Sequence, residues 1–153
     1  MAVSYHCRNK DDISSGTTEY SYIRQGNKNN LEIGTDGQEN FIKEICLICN
    51  EKFSFIQSPL ALPEHKEIYV GFNIPKYVYC DAFYAEVYTD GIHINFFEEK
   101  ARFYAKCGDL FFGFGKNRKI TDIYFTNMPP KAISNAKEVL EWEQKCRNEQ
   151  ANK

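Results

Sequence analysis

Hydrophobic residues recur along this chain with two different periods. Phe41, Ile42, Ile45, Cys46, Cys49 and Phe53 follow one another at helical spacing. Asp36 stands ahead of them as a capping residue and Glu39 follows three positions later, the arrangement of a capping box. This predicts a helix over about 37–50. From Ile68 to Thr126 the spacing changes to alternation, and 16 of the chain's 23 aromatic residues fall in this stretch. Asp90-Gly91 is a two-residue hairpin signal, because both positions of the tight turn favour residues that tolerate positive φ. That turn sets Thr89 against Ile92, Tyr88 against His93, Val87 against Ile94, Glu86 against Asn95, Ala85 against Phe96 and Tyr84 against Phe97. One face is then Phe83, Ala85, Val87, Ile92, Ile94 and Phe96, and the other Tyr84, Glu86, Tyr88, His93, Asn95 and Phe97. A slip of one residue would mix the two faces, so the pattern supports its own register.

Gly108-Asp109 marks a second turn, pairing Cys107 with Leu110, Ala105 with Phe112 and Phe103 with Phe114. Arg102, Tyr104, Lys106 and Phe111 fall on the opposite face. Thr121, Ile123 and Phe125 continue the inner face, Asp122 and Tyr124 the outer one, and Ile68, Val70 and Phe72 supply a further strand. The expectation is an antiparallel meander of about five or six strands.

An apolar sheet face requires a cover. Besides the segment 37–50, a second helix starts at Pro130, a favoured first-turn residue, and carries the stripe Ala132, Ile133, Ala136, Val139, Leu140 and Cys146. The fold class is therefore α+β, with helices at about 37–50 and 130–146 packed on one face of the meander. Residues 1–35 are polar, with Glu19–Ile23 as an edge strand, and 148–153 are a frayed tail. At 153 residues and with no linker or repeat, the chain reads as a single domain, 1–153.

Charge and composition narrow the function classes. Nineteen basic against 21 acidic residues provide no net attraction to a phosphate backbone, which argues against direct nucleic-acid binding. No apolar run approaches the roughly 20 residues of a membrane span, and Met1–Asp12 lack the apolar core of a signal peptide. A soluble, cytoplasmic protein without membrane contact is expected. The charges are segregated: 77–99 holds five acids (Asp81, Glu86, Asp90, Glu98, Glu99) and no Lys or Arg. The next stretch, 100–119, holds six bases and one acid. Pairing between adjacent strands and orientation of a charged partner both account for this.

Candidate chemistry is sparse. Six cysteines in a chain without an export signal read as reduced thiols. Cys46-x-x-Cys49 lacks the second close pair of a structural zinc site and sits inside an apolar run, where cysteine serves as a small hydrophobe. Gly113-Phe114-Gly115-Lys116 lacks the spacing and hydroxyl of a phosphate loop. No cofactor, metal ligand set or catalytic residue is assigned. His93, facing Tyr88 and close to Glu86, could serve with Glu86 as an acid–base pair on a small substrate; a thiol or zinc role for Cys46 and Cys49 is the other alternative.

The outer sheet face is the leading candidate. Tyrosine-rich surfaces of mixed charge suit protein recognition, and the expected contact residues are Tyr84, Glu86, Tyr88, Asp90, His93, Asn95, Phe97 and Glu98. Folding of the N-terminal 35 residues or of 53–67 over this face would cover it instead. The segment Lys106-Cys107-Gly108-Asp109-Leu110-Phe111-Phe112-Gly113-Phe114 resembles the Gly-Asp-aromatic strand of bacterial toxin-immunity proteins of the SUKH type. In composition the chain is similar to immunity proteins of contact-dependent or polymorphic toxins. That resemblance implies a non-enzymatic protein that binds a cognate toxin, for instance a basic nuclease, and blocks its active site or substrate path. An open edge at Ile120–Thr126 could also pair two copies into a homodimer.

Overall fold

The computed structural model describes residues 2–6, 18–26, 29–36, 42–48, 53–67 and 75–151. The class is α+β, with more strands and fewer helices than the spacing suggests. Twelve strands and one long helix are present among the described residues: β1 (Ala2–His6), β2 (Thr18–Gln25), β3 (Asn29–Asp36), β4 (Ile42–Ile48), β5 (Phe53–Phe55), β6 (Lys66–Glu67), β7 (Tyr77–Tyr79), β8 (Tyr84–Val87), β9 (Ile92–Asn95), β10 (Phe103–Cys107), β11 (Leu110–Phe114), β12 (Ile120–Phe125) and α1 (Pro130–Ala151). They form a five-stranded sheet in the order β1-β4-β3-β2-β7 and a seven-stranded sheet in the order β5-β8-β9-β12-β11-β10-β6.

The segment expected as a helix at 37–50 is strand β4 where it is described. Its deceptive spacing has a local cause. Thr35 pairs with Ile42 but Gly34 with Glu44, so Lys43 is an extra residue in a β-bulge. The bulge lets Ile42 and Ile45, three apart, both turn inward and imitate a helical period. Ile45 and Leu47 then alternate regularly into the core. The strand at Glu19–Ile23 is confirmed, though not at an edge: β2 lies between β3 and β7. β12 is likewise interior, flanked by β9 and β11, so an open edge at Ile120–Thr126 is ruled out. The strand expected from Ile68, Val70 and Phe72 lies outside the described residues.

The Gly108-Asp109 hairpin has the expected register, Cys107 against Leu110 through Phe103 against Phe114. Positive φ falls on Gly108 and not on Asp109, as in a turn with glycine at its first central position. The Asp90-Gly91 hairpin differs by two residues: Glu86 faces His93 and Val87 faces Ile92. The loop is thus four residues long, closed by Tyr88 N–H donating to the Gly91 carbonyl at 2.9 Å. Asp90 is engaged elsewhere, its carboxylate accepting from the Leu60 N–H at 2.7 Å. Gly91 has no positive φ. It is required because a Cβ there would lie 2.5 Å from the Phe125 carbonyl oxygen. A shift of two residues preserves which side chains share a face, so the separation into apolar and polar faces survives.

Both sheets close on one core. Ile23, Leu31, Ile33, Ile45 and Leu47 from the smaller sheet join Ala85, Val87, Ile92, Ile94, Phe112, Ile123 and Phe125 from the larger, with Phe83 just ahead of β8 and Ile133, Ala136 and Leu140 of α1. The helix starts at Pro130 as expected and runs past 146 to Ala151. The chain passes between sheets through Cys80–Phe83, and Phe83 is fully buried.

The two sheets repeat one design. In each, three consecutive antiparallel strands are joined by a fourth that pairs beside the last of them, and a short parallel strand flanks the first: β1-β4-β3-β2-β7 and β9-β12-β11-β10-β6. A bulge falls at the same place in each, at Gly34/Thr35 and at Gly113/Phe114.

Candidate functional site

The repeated design sets one row of three residues on the outer face of each sheet. Tyr20 faces Gly34, which faces Glu44. Tyr104 faces Gly113, which faces Asp122. Glycine at the middle leaves room for side chains to cross the central strand: a Cβ on Gly34 would meet Glu44 and the Tyr20 ring at 2.9 and 3.2 Å, and one on Gly113 the Asp122 carboxylate. The Tyr20 hydroxyl donates to Glu44 at 2.5 Å and that of Tyr104 to Asp122 at 3.0 Å.

On the larger sheet the row is elaborated into a network. His93 lies between two carboxylates, with Nδ1 3.1 Å from Glu86 and Nε2 3.1 Å from Asp122. Tyr88 donates to Glu86 at 3.1 Å, and Thr121 donates to the other oxygen of Asp122 at 2.6 Å. The Tyr124 ring stacks on the imidazole with centroids 4.0 Å apart, and Tyr104 meets Tyr124 edge-on. The side chain of Asp122 is only 4% exposed and that of His93 12%. A neutral imidazole has one N–H and an ionised carboxylate has none. Both contacts are therefore satisfied only when the cluster holds a proton beyond that of a neutral ring flanked by two carboxylates. Burial and the Glu86 hydrogen bond push the Tyr88 phenol up to about 12. Burial, followed by the charge on Asp122, raises Tyr104 well beyond its ordinary range. Burial also raises Tyr124.

The expected contact residues do not all fall together. Glu86, Tyr88 and His93 come together in the network; Tyr84 and Asn95 face each other beside it on the same sheet face; and Glu98 is exposed. Asp90 is exposed at the hairpin tip with its carboxylate held by Leu60. Phe97 is a correction: it is 7% exposed and belongs to the core. With the register two residues off, β9 ends at Asn95, and beyond the strand both Phe96 and Phe97 turn inward. Phe111 does lie on the outer face but is only 1% exposed, because the 53–67 segment brings the His65 ring edge-on to it at 4.5 Å. The outer face is thus covered at Phe111 and open at Tyr84.

Sequence reasoning put Tyr104, Asp122 and Tyr124 on this face without assigning them a role. The available signal was a carboxylate in the middle of an apolar strand, Thr121-Asp122-Ile123. Cys46 is half-buried on the outer face of the smaller sheet, and Cys49 lies outside the described residues. Among the described residues, no group of three or more His, Cys, Asp or Glu side chains could hold a metal ion, and no helix is long and apolar enough to cross a membrane. Comparison with known protein families and with curated proteins finds no match.

Proposed function

We propose that this chain is a non-enzymatic protein-binding module of the toxin-neutralising immunity type, recognising its partner through the open part of the larger sheet's outer face. The observation that carries this reading is the closure of the His93 network. Both imidazole nitrogens face carboxylates of the chain itself at 3.1 Å, so neither is turned toward a substrate. The network instead holds Glu86 and Tyr88 at fixed positions next to exposed Tyr84, and pre-ordered tyrosine and carboxylate groups lose little entropy on binding. An acidic, tyrosine-bearing hairpin is complementary to a basic partner such as a nuclease toxin.

The test is affinity capture from source cells with wild type and with a Tyr84→Ala, Glu98→Lys variant, both residues lying outside the network. A captured protein that arrests growth when expressed alone, is neutralised by co-expression of wild type, and escapes the variant would support the reading. Equal neutralisation by both would move the site elsewhere.

The 3.1 Å contact between His93 and Glu86 favours one other reading, an acid–base pair on a small substrate. There His93 must leave Asp122 to act, so Asp122→Asn should alter the pH profile of any activity found.

A further inference from the structure

The outer face of the smaller sheet carries an arginine that nothing above uses. Arg24 on β2 lies over two tyrosine rings, 4.7 Å from the centroid of Tyr22 and 5.2 Å from that of Tyr77. Those rings are stacked on each other, 5.5 Å apart and 17° from parallel. The guanidinium makes one long hydrogen bond, Nε to Asn30 at 3.4 Å, and no carboxylate lies within ion-pairing distance among the described residues. Lys76 is beside it, 5.9 Å from the Tyr77 centroid. Tyr79, directly opposite Arg24 in the register, is 72% exposed, and Tyr77 is 46% exposed.

These side chains line a sheet edge that is unpaired among the described residues. β7 is the last strand of its sheet and pairs with β2 in parallel. Lys76 accepts from the Tyr22 N–H and Cys80 donates to the Arg24 carbonyl, each at 2.9 Å. Alternation along a strand therefore turns the N–H and C=O groups of Tyr77 and Tyr79 away from β2, toward the open edge.

We propose that this edge takes up an extended acidic segment of a partner protein, whose backbone pairs with Tyr77 and Tyr79 while a glutamate or aspartate engages Arg24. Strands lie about 4.8 Å apart, and the guanidinium already reaches over Tyr77. A carboxylate on an added strand therefore needs to span only one further spacing. A planar fork fixed against aromatic faces is suited to bidentate carboxylate contact, and its pre-ordering lowers the entropic cost. Exposed Tyr79 supplies contact area beside it. This inference concerns a different sheet from the proposed function and does not rest on it.

The test is fluorescence polarisation with a labelled Glu-Val-Glu-Val-Glu peptide and its Lys-Val-Lys-Val-Lys counterpart against the full chain. Saturable binding of the acidic peptide alone is expected. Arg24→Gln should weaken it by about tenfold or more, and Arg24→Lys should restore only part, having charge without the fork. Should Arg24→Gln unfold the chain, Tyr79→Ala removes a side chain already in solvent and is expected to weaken binding at unchanged thermal stability. The Tyr84→Ala variant should bind the peptide normally, which separates this edge from the larger sheet. No saturable binding, equal binding of the lysine peptide, or unchanged affinity in both Arg24→Gln and Tyr79→Ala would overturn the proposal. Tighter binding of a single-stranded RNA oligonucleotide would overturn it in favour of phosphate recognition.

Discussion

At the scale of single residues, the glycines at the middle of the two tyrosine–carboxylate rows make separable demands. A Cβ on Gly113 would lie 1.8 Å from Oδ1 of Asp122. Gly113→Ala must therefore displace a buried carboxylate that accepts from Tyr104, Thr121 and His93. Losing such a set is expected to cost about 3 kcal/mol or more. A Cβ on Gly34 would meet Cγ of Glu44 at 2.9 Å, a partly exposed side chain whose hydrogen-bond partner Tyr20 is itself at the surface. Gly34→Ala should cost about 1 kcal/mol. Urea unfolding of the two variants checks the order, and equal losses would mean that the His93 network adds nothing to the row it elaborates.

The tyrosines carry the pH dependence. Tyr20 is raised to about 12 by its hydrogen bond to Glu44, and Tyr88 to about 12 chiefly by burial. A phenol whose folded pKa lies above its unfolded value of about 10 holds its proton longer in the native state. Its contribution is complete below pH 10 and is lost as pH rises toward 12. The melting temperature should fall across that window, and Tyr104→Phe should flatten the fall, since burial and the Asp122 charge raise Tyr104 further still. Thermal melts at successive alkaline pH values measure both.

At the scale of elements, α1 is two helices in one energetically. Ile133, Ala136 and Leu140 are buried, and no described residue after Leu140 is. Leu140→Ala should cost about 2–5 kcal/mol, whereas removing 147–153 should change stability by less than about 0.5 kcal/mol. Trp142, the only tryptophan in the chain, is 66% exposed. Its emission should resemble that of tryptophan in water and be fully quenched by iodide. A blue-shifted, protected emission in dilute solution would mean that something covers this face of the helix.

At the scale of the molecule, the repeated topology predicts a matching pattern of protection. β12 and β11 are interior to the larger sheet, and β3 and β4 to the smaller, whereas β5, β6 and β7 lie at edges with two or three residues each. Amide exchange should be slowest in the first group and fastest in the last. Early exchange in β12 would contradict its interior position.

The sequence alone determined whatever depends on neighbours along the chain. The Gly108 hairpin is legible because a turn residue and its flanking alternation lie within a dozen positions. The helix from Pro130 is legible because its stripe and its start are both local, and the division of 83–97 into two faces survives any even shift. Tertiary structure decided what depends on remote partners. β4 is a strand because β1 and β3 pair with it, and the bulge at Lys43 disguised its period. The Asp90 loop opened because Leu60, 30 residues away, captures the carboxylate. The His93 network needs strands about 30 residues apart in sequence to lie side by side, and the Arg24 edge strands about 55 apart. No local pattern encodes that placement; it follows from which apolar faces closed on the common core.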